Sequence, residues 1–174
     1  MRIKLILKRH LKYLAYTFFD VYKGERRLNI VAHGGDFSSN PKEICFGRRV
    51  SARDLYIELI KDTEIYKCNY IRLLSCHSAD GYNASFACQL SKYFPHKMIK
   101  GYAGEIRTNF SPDVIREIIN TEGVDMVHDM ISESDLIKLE KIDTHFHSVI
   151  FKDGVCVKQN YGKITVNGKV FFTL

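Results

Sequence analysis

Between residues 27 and 106, segments with the pattern of buried strands alternate with segments with the pattern of amphipathic helices. The strands are predicted at "RLNIVAHGG", "NYIRLLS" and "MIKGYAGEI", and the helices at "VSARDLYIELIKD" and "ASFACQLSKYF". Such alternation with short connections is typical of a parallel sheet covered by helices. Right-handed crossovers would place the strand at 28–33 beside, or nearly beside, the strand at 70–75. The predicted fold class is α/β, with a mainly parallel sheet flanked by helices.

Polar residues mark where the predicted helices begin. Ser51 is the expected N-cap of the first helix, with Asp54 three residues further on, and Asn83 is expected to start the second. Two more helices are predicted at "SPDVIREIIN", where Pro112 lies near the first turn, and at "SESDLIKLEKI".

The last thirty residues have the pattern of antiparallel hairpins. The predicted turns are Asp153-Gly154 and Asn167-Gly168, and both pairs suit a type I′ turn.

At 174 residues the chain is long enough for one domain with its own core. We divide this single domain, 1–174, into a basic N-terminal segment at 1–27, an α/β core at 28–110, and helices and C-terminal β-hairpins at 111–174. No apolar run approaches the roughly 18 residues that a membrane span requires.

The net charge of +6 is local. Residues 1–27 hold eight basic and two acidic residues, so the other 147 residues balance to zero. A neutral body disfavours a nucleic-acid-binding groove. Apolar residues within 1–18 recur at helical spacing, which predicts a basic amphipathic helix. Such a helix more often packs its apolar stripe on the core and exposes its charged face to solvent, and weak contact with a membrane surface or a partner is the alternative role. Alternatively Ile3, Leu5 and Leu7 alternate as an edge strand.

Five cysteines form an odd set without CxxC spacing: Cys45, Cys68, Cys76, Cys88 and Cys156. Neither a zinc site nor a disulfide framework is predicted. We therefore expect reduced thiols and a reducing, cytosol-like compartment.

His33 and Cys76 follow two of the predicted strands at the points where these strands end. Functional groups of open α/β sheets gather beyond the carboxyl ends of strands. A nearby imidazole turns a thiol into a nucleophile, which makes Cys76 and His33 the candidate catalytic pair. The glycines after His33 allow a substrate carbonyl to approach the main chain, so amides of Gly34 or Gly35 are candidate oxyanion donors.

The segments "IVAHGG" and "IRLLSCHSADG" resemble the His-Gly and (Ala/Ser)-Cys motifs of caspase-like (clan CD) cysteine peptidases. This group includes caspases, legumain, gingipains, separase and the autoprocessing protease domains of large bacterial toxins. The order of the two residues, the helix between them and the small residue before the cysteine all match. The resemblance covers about residues 28–104.

The resemblance implies a caspase-like three-layer sandwich and a His33/Cys76 dyad that hydrolyses peptide bonds in a protein substrate. Within this group, the compactness and simple composition of the chain are more similar to bacterial toxin and effector domains than to caspases. This similarity implies secretion by a bacterium into a host cell. No arginine cluster corresponds to an aspartate-specific pocket. The neutral body disfavours the basic inositol-phosphate site of some toxin relatives, so no cofactor is predicted.

Other polar residues near the two motifs are candidates for supporting roles. Asp36 is a candidate for orienting His33, although a carboxylate in a polar loop is more often a turn residue. Ser78 and Asp80 are candidates for lining the cleft. Tyr102 and Glu105 are pocket candidates by position alone.

Two histidines outside the dyad have simpler interpretations. His77 directly follows Cys76, but adjacent residues of an extended segment point to opposite sides, which disfavours it as the base. Asp143, His145 and His147 share one face of a predicted strand. Such a face is more often solvated than metal-binding, and no metal is predicted.

Two alternatives to peptidase activity stay open. A deamidase or acyltransferase would use the same thioester step with a different acceptor or substrate. A non-catalytic α/β binding module would dock through the basic N-terminal segment.

Overall fold

The computed structural model describes residues 3–5, 15–34, 43–45, 49–133, 140–141, 147–161, 163–166 and 169–172. The strands are β1 (Ile3–Leu5), β2 (Tyr16–Tyr22), β3 (Glu25–Val31), β4 (His33–Gly34), β5 (Glu43–Cys45), β6 (Arg49–Ser51), β7 (Tyr70–Leu74), β8 (Met98–Ala103), β9 (Ile106–Arg107), β10 (Glu140–Lys141), β11 (His147–Lys152), β12 (Val155–Tyr161), β13 (Lys163–Val166) and β14 (Lys169–Phe172). The α-helices are α1 (Ala52–Leu59), α2 (Phe86–Tyr93), α3 (Pro112–Glu122) and α4 (Val124–Glu133). Two short 3₁₀ helices span Thr63–Lys67 and Tyr82–Ala84.

The main sheet has seven strands in the order β1-β2-β3-β7-β8-β11-β12. β7 pairs in parallel with β3 and β8, and the outer pairings are antiparallel. The α/β class is confirmed, but the sheet is mixed rather than mainly parallel. The reason is the tight turns: Lys23-Gly24 and Asp153-Gly154 each join two strands through two residues with positive φ, which only antiparallel neighbours allow.

The N-terminal residues are strands where the structure describes them. β1 and β2 pair with each other, which contradicts a continuous helix over 1–18 and agrees with the edge-strand alternative at 3–5. Tyr16 and Phe18 lie in one core, whereas Ala15 and Phe19 lie in the other. Both faces of β2 are therefore apolar, which hides the period-two alternation that marks a strand.

Helices cover both faces of the sheet. On one face, Leu28 and Ile30 of β3 belong to the same core as Leu55 of α1 and Leu90 of α2. On the other face, the core contains Val31 and Leu74 together with Ile115 of α3 and Val127 of α4, and all four are buried. The domain is thus built in three layers.

Side-chain caps fix where the helices begin. The Ser51 hydroxyl accepts from the Asp54 N–H at 3.2 Å, which confirms the predicted start of α1. α2 is capped by Ser85, which accepts from the Cys88 N–H at 3.2 Å, and not by Asn83. The chain at Asn83 forms a 3₁₀ turn first, so the predicted cap was two residues early.

The C-terminal third agrees only partly with the sequence. β11–β12 and β13–β14 are antiparallel pairs as predicted, although the Asn167-Gly168 turn lies outside the described residues. The helix predicted at 132–142 is contradicted at Glu140–Lys141, which forms a strand paired with β9. Residues 134–139 lie outside the described part. None of the described helices combines the length and hydrophobicity needed to cross a bilayer.

Cationic side chains converge on the face of the sheet that carries Val31 and Leu74. Arg27 donates two hydrogen bonds to Asp20, at 2.9 and 2.6 Å, and Arg72 donates to Asn29 at 2.6 Å. Burial, followed by the charges of Arg72, Arg27 and Lys158, lowers the pKa of Lys100 to about 8. Charge counted along the chain did not reveal this cluster, because its members come from four strands.

We expect Lys100→Met to stabilise the protein. The unfolded chain keeps the proton of Lys100 up to about pH 10.5, whereas the folded chain releases it near pH 8. Below pH 8 the buried charge therefore disfavours folding. Between pH 8 and pH 10.5 the free energy of unfolding rises with pH. With partial exposure taken into account, the substitution should raise the free energy of unfolding at pH 7 by about 1 kcal/mol. Urea titrations at pH 7 and pH 10 measure this, with Lys152→Met as the control. Equal stability of wild type and Lys100→Met at pH 7 would contradict the expectation.

Candidate active site

The ends of β3 and β7 bring the two candidate residues to one edge of the sheet. Val31 pairs with Leu74 in parallel register, and the Ala32 N–H donates to the Leu74 carbonyl at 3.2 Å. His33 and Cys76 each lie two residues beyond this pair, so they follow the same face and the same edge. The prediction that the two strands are neighbours is confirmed.

Gly34 lies directly against the main chain of Cys76. A Cβ atom at position 34 would be 2.0 Å from the Cys76 carbonyl oxygen and 2.5 Å from the carbonyl carbon. Only glycine allows this approach, which gives the His-Gly sequence a structural reason. The oxyanion role of Gly34 stays a prediction. Gly35 and Asp36 lie outside the described residues.

One cavity joins the two candidate residues. Its volume is about 190 Å³. The lining comes from the ends of β3 and β7 and from the segment that runs from β9 to the start of α3: Val31, Ala32, His33, Leu74, Ser75, Cys76, Ile106, Arg107, Thr108, Ser111 and Pro112. His33 and Cys76 therefore line a shared space of a size that admits a side chain or an acyl group.

The thiol of Cys76 is half-buried and held by the main chain of Ile106. Its S–H donates to the Ile106 carbonyl at 3.3 Å, and the Ile106 N–H points at the sulfur from 3.4 Å. Burial is the main cause that raises the pKa of Cys76, and the carboxylates of Glu105 and Asp80 add to it, while the Ile106 N–H opposes it. Without substrate the sulfur is thus protonated at neutral pH.

We expect Glu105→Gln to make Cys76 more reactive. Removing this exposed carboxylate removes one of the causes that raise the thiol pKa, so the thiolate fraction at pH 8 should rise. The rate of iodoacetamide alkylation at Cys76 should increase about twofold, since solvent screens the exposed charge. Peptide mass spectrometry measures the rate, with Glu117→Gln as the control. A slower rate in Glu105→Gln than in Glu117→Gln would refute this expectation.

His33 contacts a carboxylate that the sequence had not indicated. Its Nε2 lies 2.9 Å from Oδ2 of Asp113, and both side chains are about half exposed. Oδ1 of Asp113 accepts from Arg116 at 2.8 Å. Asp113 lies in the first turn of α3, eighty residues from His33, and the only available signal was its place beside Pro112 at the start of a predicted helix.

The loop after Cys76 is hydrogen-bonded to the residue that follows β8. His77 adopts a positive φ of 56°, and its N–H donates to the Gly104 carbonyl at 2.9 Å. Asp80 contacts His77 Nδ1 through one oxygen, at 2.6 Å, and accepts from the Gly104 N–H through the other, at 2.9 Å. Asp80 therefore fixes the loop that follows Cys76, because its carboxylate contacts both the His77 ring and the Gly104 main chain.

Two of the predicted cleft residues lie in the core. The buried hydroxyl of Ser78 donates to the Ser75 carbonyl at 2.8 Å and accepts from the Tyr102 N–H at 3.0 Å. Tyr102 itself is 1% exposed within the core beneath α3 and α4. The cleft assignments of Ser78 and Tyr102 are corrected for this reason, whereas Glu105 is exposed beside the thiol.

The remaining cysteines and histidines have structural contacts where they are described. Cys68 and Cys88 are buried, as expected of structural cysteines, and Cys156 is half-buried. His147 is buried and its Nε2 lies 3.1 Å from the Tyr82 hydroxyl. Asp143 and His145 lie outside the described residues. Among the described side chains, no three metal-ligating residues gather into one group.

Comparison with protein-family models, curated proteins and solved structures finds no match to this chain. The likeness to caspase-like peptidases therefore rests on the two sequence motifs alone.

Proposed function

We propose that the protein is a cysteine peptidase in which Cys76 is the nucleophile and His33 the general base. The observation that supports this most is the shared cavity: two neighbouring parallel strands are followed by His33 and Cys76, and both residues line it. Reactive groups beyond the carboxyl ends of parallel strands are a recurrent feature of functional sites in α/β sheets.

The reaction divides into two proton-coupled steps. His33 takes the thiol proton as the Cys76 sulfur attacks the scissile carbonyl carbon, and the oxyanion that forms is held by main-chain N–H groups near Gly34. The C–N bond then breaks, and His33 returns the proton to the leaving amine. Water, deprotonated by His33, attacks the thioester, the C–S bond breaks, and the protonated thiol is restored.

The raised pKa of Cys76 is compatible with this cycle if proton transfer accompanies attack. A substrate that enters the cavity displaces the sulfur from the Ile106 carbonyl, which frees its proton for transfer to His33. The cavity walls are mostly apolar, with Val31, Leu74 and Pro112 among them, and favour an uncharged substrate side chain.

The proposal includes a caspase-like fold and a bacterial effector or toxin as the source of the domain. A caspase-like arrangement accounts for the order of His33 and Cys76 and for the helices on both faces of the sheet. A bacterial effector or toxin domain that works in the reducing cytosol of a host accounts for the thiols.

The protonated thiol also supports a second candidate, a non-catalytic α/β binding module. A half-buried sulfur that donates to a carbonyl is a stable structural arrangement by itself. Deamidation or acyl transfer is a variant of the first candidate, because each passes through the same thioester.

Incubation with a host-cell proteome distinguishes these candidates. Wild-type protein and Cys76→Ala are compared by mass spectrometry of protein amino termini and of glutamine-containing peptides. New amino termini that require Cys76 support the peptidase. A mass increase of about one unit at glutamine, without new termini, supports the deamidase. Identical proteomes after both treatments would reject catalysis and favour the binding module.

A further inference from the structure

The contact between His33 and Asp113 determines which ring nitrogen is left for chemistry. An ionised carboxylate only accepts hydrogen bonds, so the nitrogen that faces it carries a proton. Nε2 of His33 lies 2.9 Å from Oδ2 of Asp113. In the neutral ring the lone pair is then on Nδ1. We propose that Asp113 is a positioning residue that holds His33 in its Nε2–H tautomer, so that Nδ1 takes the Cys76 proton.

The Asp113 carboxylate is itself oriented at both oxygens. Oδ1 accepts from Arg116 one turn further along α3, at 2.8 Å, which leaves Oδ2 for the imidazole. Ser111 caps the helix by accepting from the Val114 N–H at 3.4 Å, and this fixes the first turn. The partial positive charge at the helix N-terminus also attracts the carboxylate of Asp113.

The start of α3 also borders the cavity that holds Cys76. Ser111 and Pro112, which precede Asp113, line the same cavity as His33 and Cys76. Asp113 therefore contacts His33 from the first turn of a helix that borders the same cavity. Both side chains are about half exposed, so solvent weakens the interaction between His33 and Asp113. We therefore expect that removing Asp113 lowers the reaction rate moderately, and less than removing a buried orienting carboxylate would.

This inference rests on the proposed function for its kinetic consequence but not for its structural one. The structural test is long-range ¹H–¹⁵N NMR of the histidine rings in the unliganded protein, at a pH where His33 is neutral. The His33 ring should be in the Nε2–H form in wild type, and Asp113→Ala should give a mixture of both tautomers. A wild-type ring with its proton on Nδ1 would overturn the proposal.

The kinetic test uses an N-blocked dipeptide chloromethyl ketone with uncharged side chains as the probe. The Cys76 sulfur displaces chloride and forms a C–S bond, while its proton passes to His33. In Asp113→Ala the maximal capture rate should fall about tenfold with an unchanged half-saturating probe concentration, and Asp113→Glu should recover part of it. Asp125→Asn is the matched control, because it also removes a carboxylate from the first turn of a helix.

The outcomes separate the two proposals. A tautomer change without any thiol-dependent activity in wild type supports Asp113 as the positioning residue and rejects the peptidase. Equal capture rates in wild type and Asp113→Ala, in a protein that does turn over substrate, reject Asp113 and leave the peptidase standing.

Discussion

Gly34→Ala is expected to destabilise the protein by about 3 kcal/mol or more and to abolish reaction at Cys76. The new Cβ would be 2.0 Å from the Cys76 carbonyl oxygen and 2.8 Å from its Cα. These are main-chain atoms of the strand end that carries the thiol, so relief requires β4 and the end of β7 to separate. Urea unfolding and chloromethyl ketone capture of Cys76 measure the two effects.

Gly24→Ala is the matched control for this substitution. Gly24 has a positive φ of 78° but nothing within 4 Å of the added Cβ. Its cost is backbone strain alone, about 1 kcal/mol, and the capture rate should not change. If Gly34→Ala were as stable and as reactive as Gly24→Ala, the close approach of His33–Gly34 to Cys76 would be wrong.

His33→Gln is expected to lower the release of new amino termini at least about 100-fold while the fold is kept. Glutamine is similar in length and retains polar atoms, but it cannot take a proton from the thiol. Because the His33 side chain is 51% exposed, its replacement leaves no cavity in the core. Protease assays on a host proteome measure the activity, and urea unfolding reports the stability.

His96→Gln provides the comparison, since His96 is an exposed histidine in the turn after α2, away from the cavity. Its activity should equal that of wild type. Full activity in His33→Gln would show that proton transfer does not involve this imidazole, and the dyad would have to be abandoned.

The part of the fold that local sequence signals determine was predictable. The capping box of Ser51 and Asp54 marked α1, and the apolar runs before His33 and Cys76 marked two paired parallel strands. The edges of the sheet were not predictable in the same way. β2 is apolar on both faces, and its antiparallel pairing with β3 depends on one two-residue turn at Lys23-Gly24.

The candidate site was also predictable only in part. His33 and Cys76 follow strands that are adjacent in the sheet, and strand neighbours can be inferred from crossover rules. Asp113 is far along the chain and reaches His33 only because α3 packs on the face of the sheet that carries Val31 and Leu74. Ser78 was misplaced because a position beyond a strand does not reveal whether a side chain turns inward to hydrogen bond with the next strand. Tyr102 was misplaced because it lies within β8 and packs into the core.

The central claim is that Cys76 is a reactive thiol in a substrate-binding cavity, and the direct test compares two thiols of the same molecule. Cys76 and Cys156 are both half-buried, but only Cys76 lines the cavity with His33. The rates at which a dipeptide chloromethyl ketone modifies each are measured in one sample by peptide mass spectrometry. Saturable capture of Cys76 at least about 100-fold faster than that of Cys156 is the predicted result. Modification of Cys76 at the same rate as Cys156, without saturation, would contradict the account.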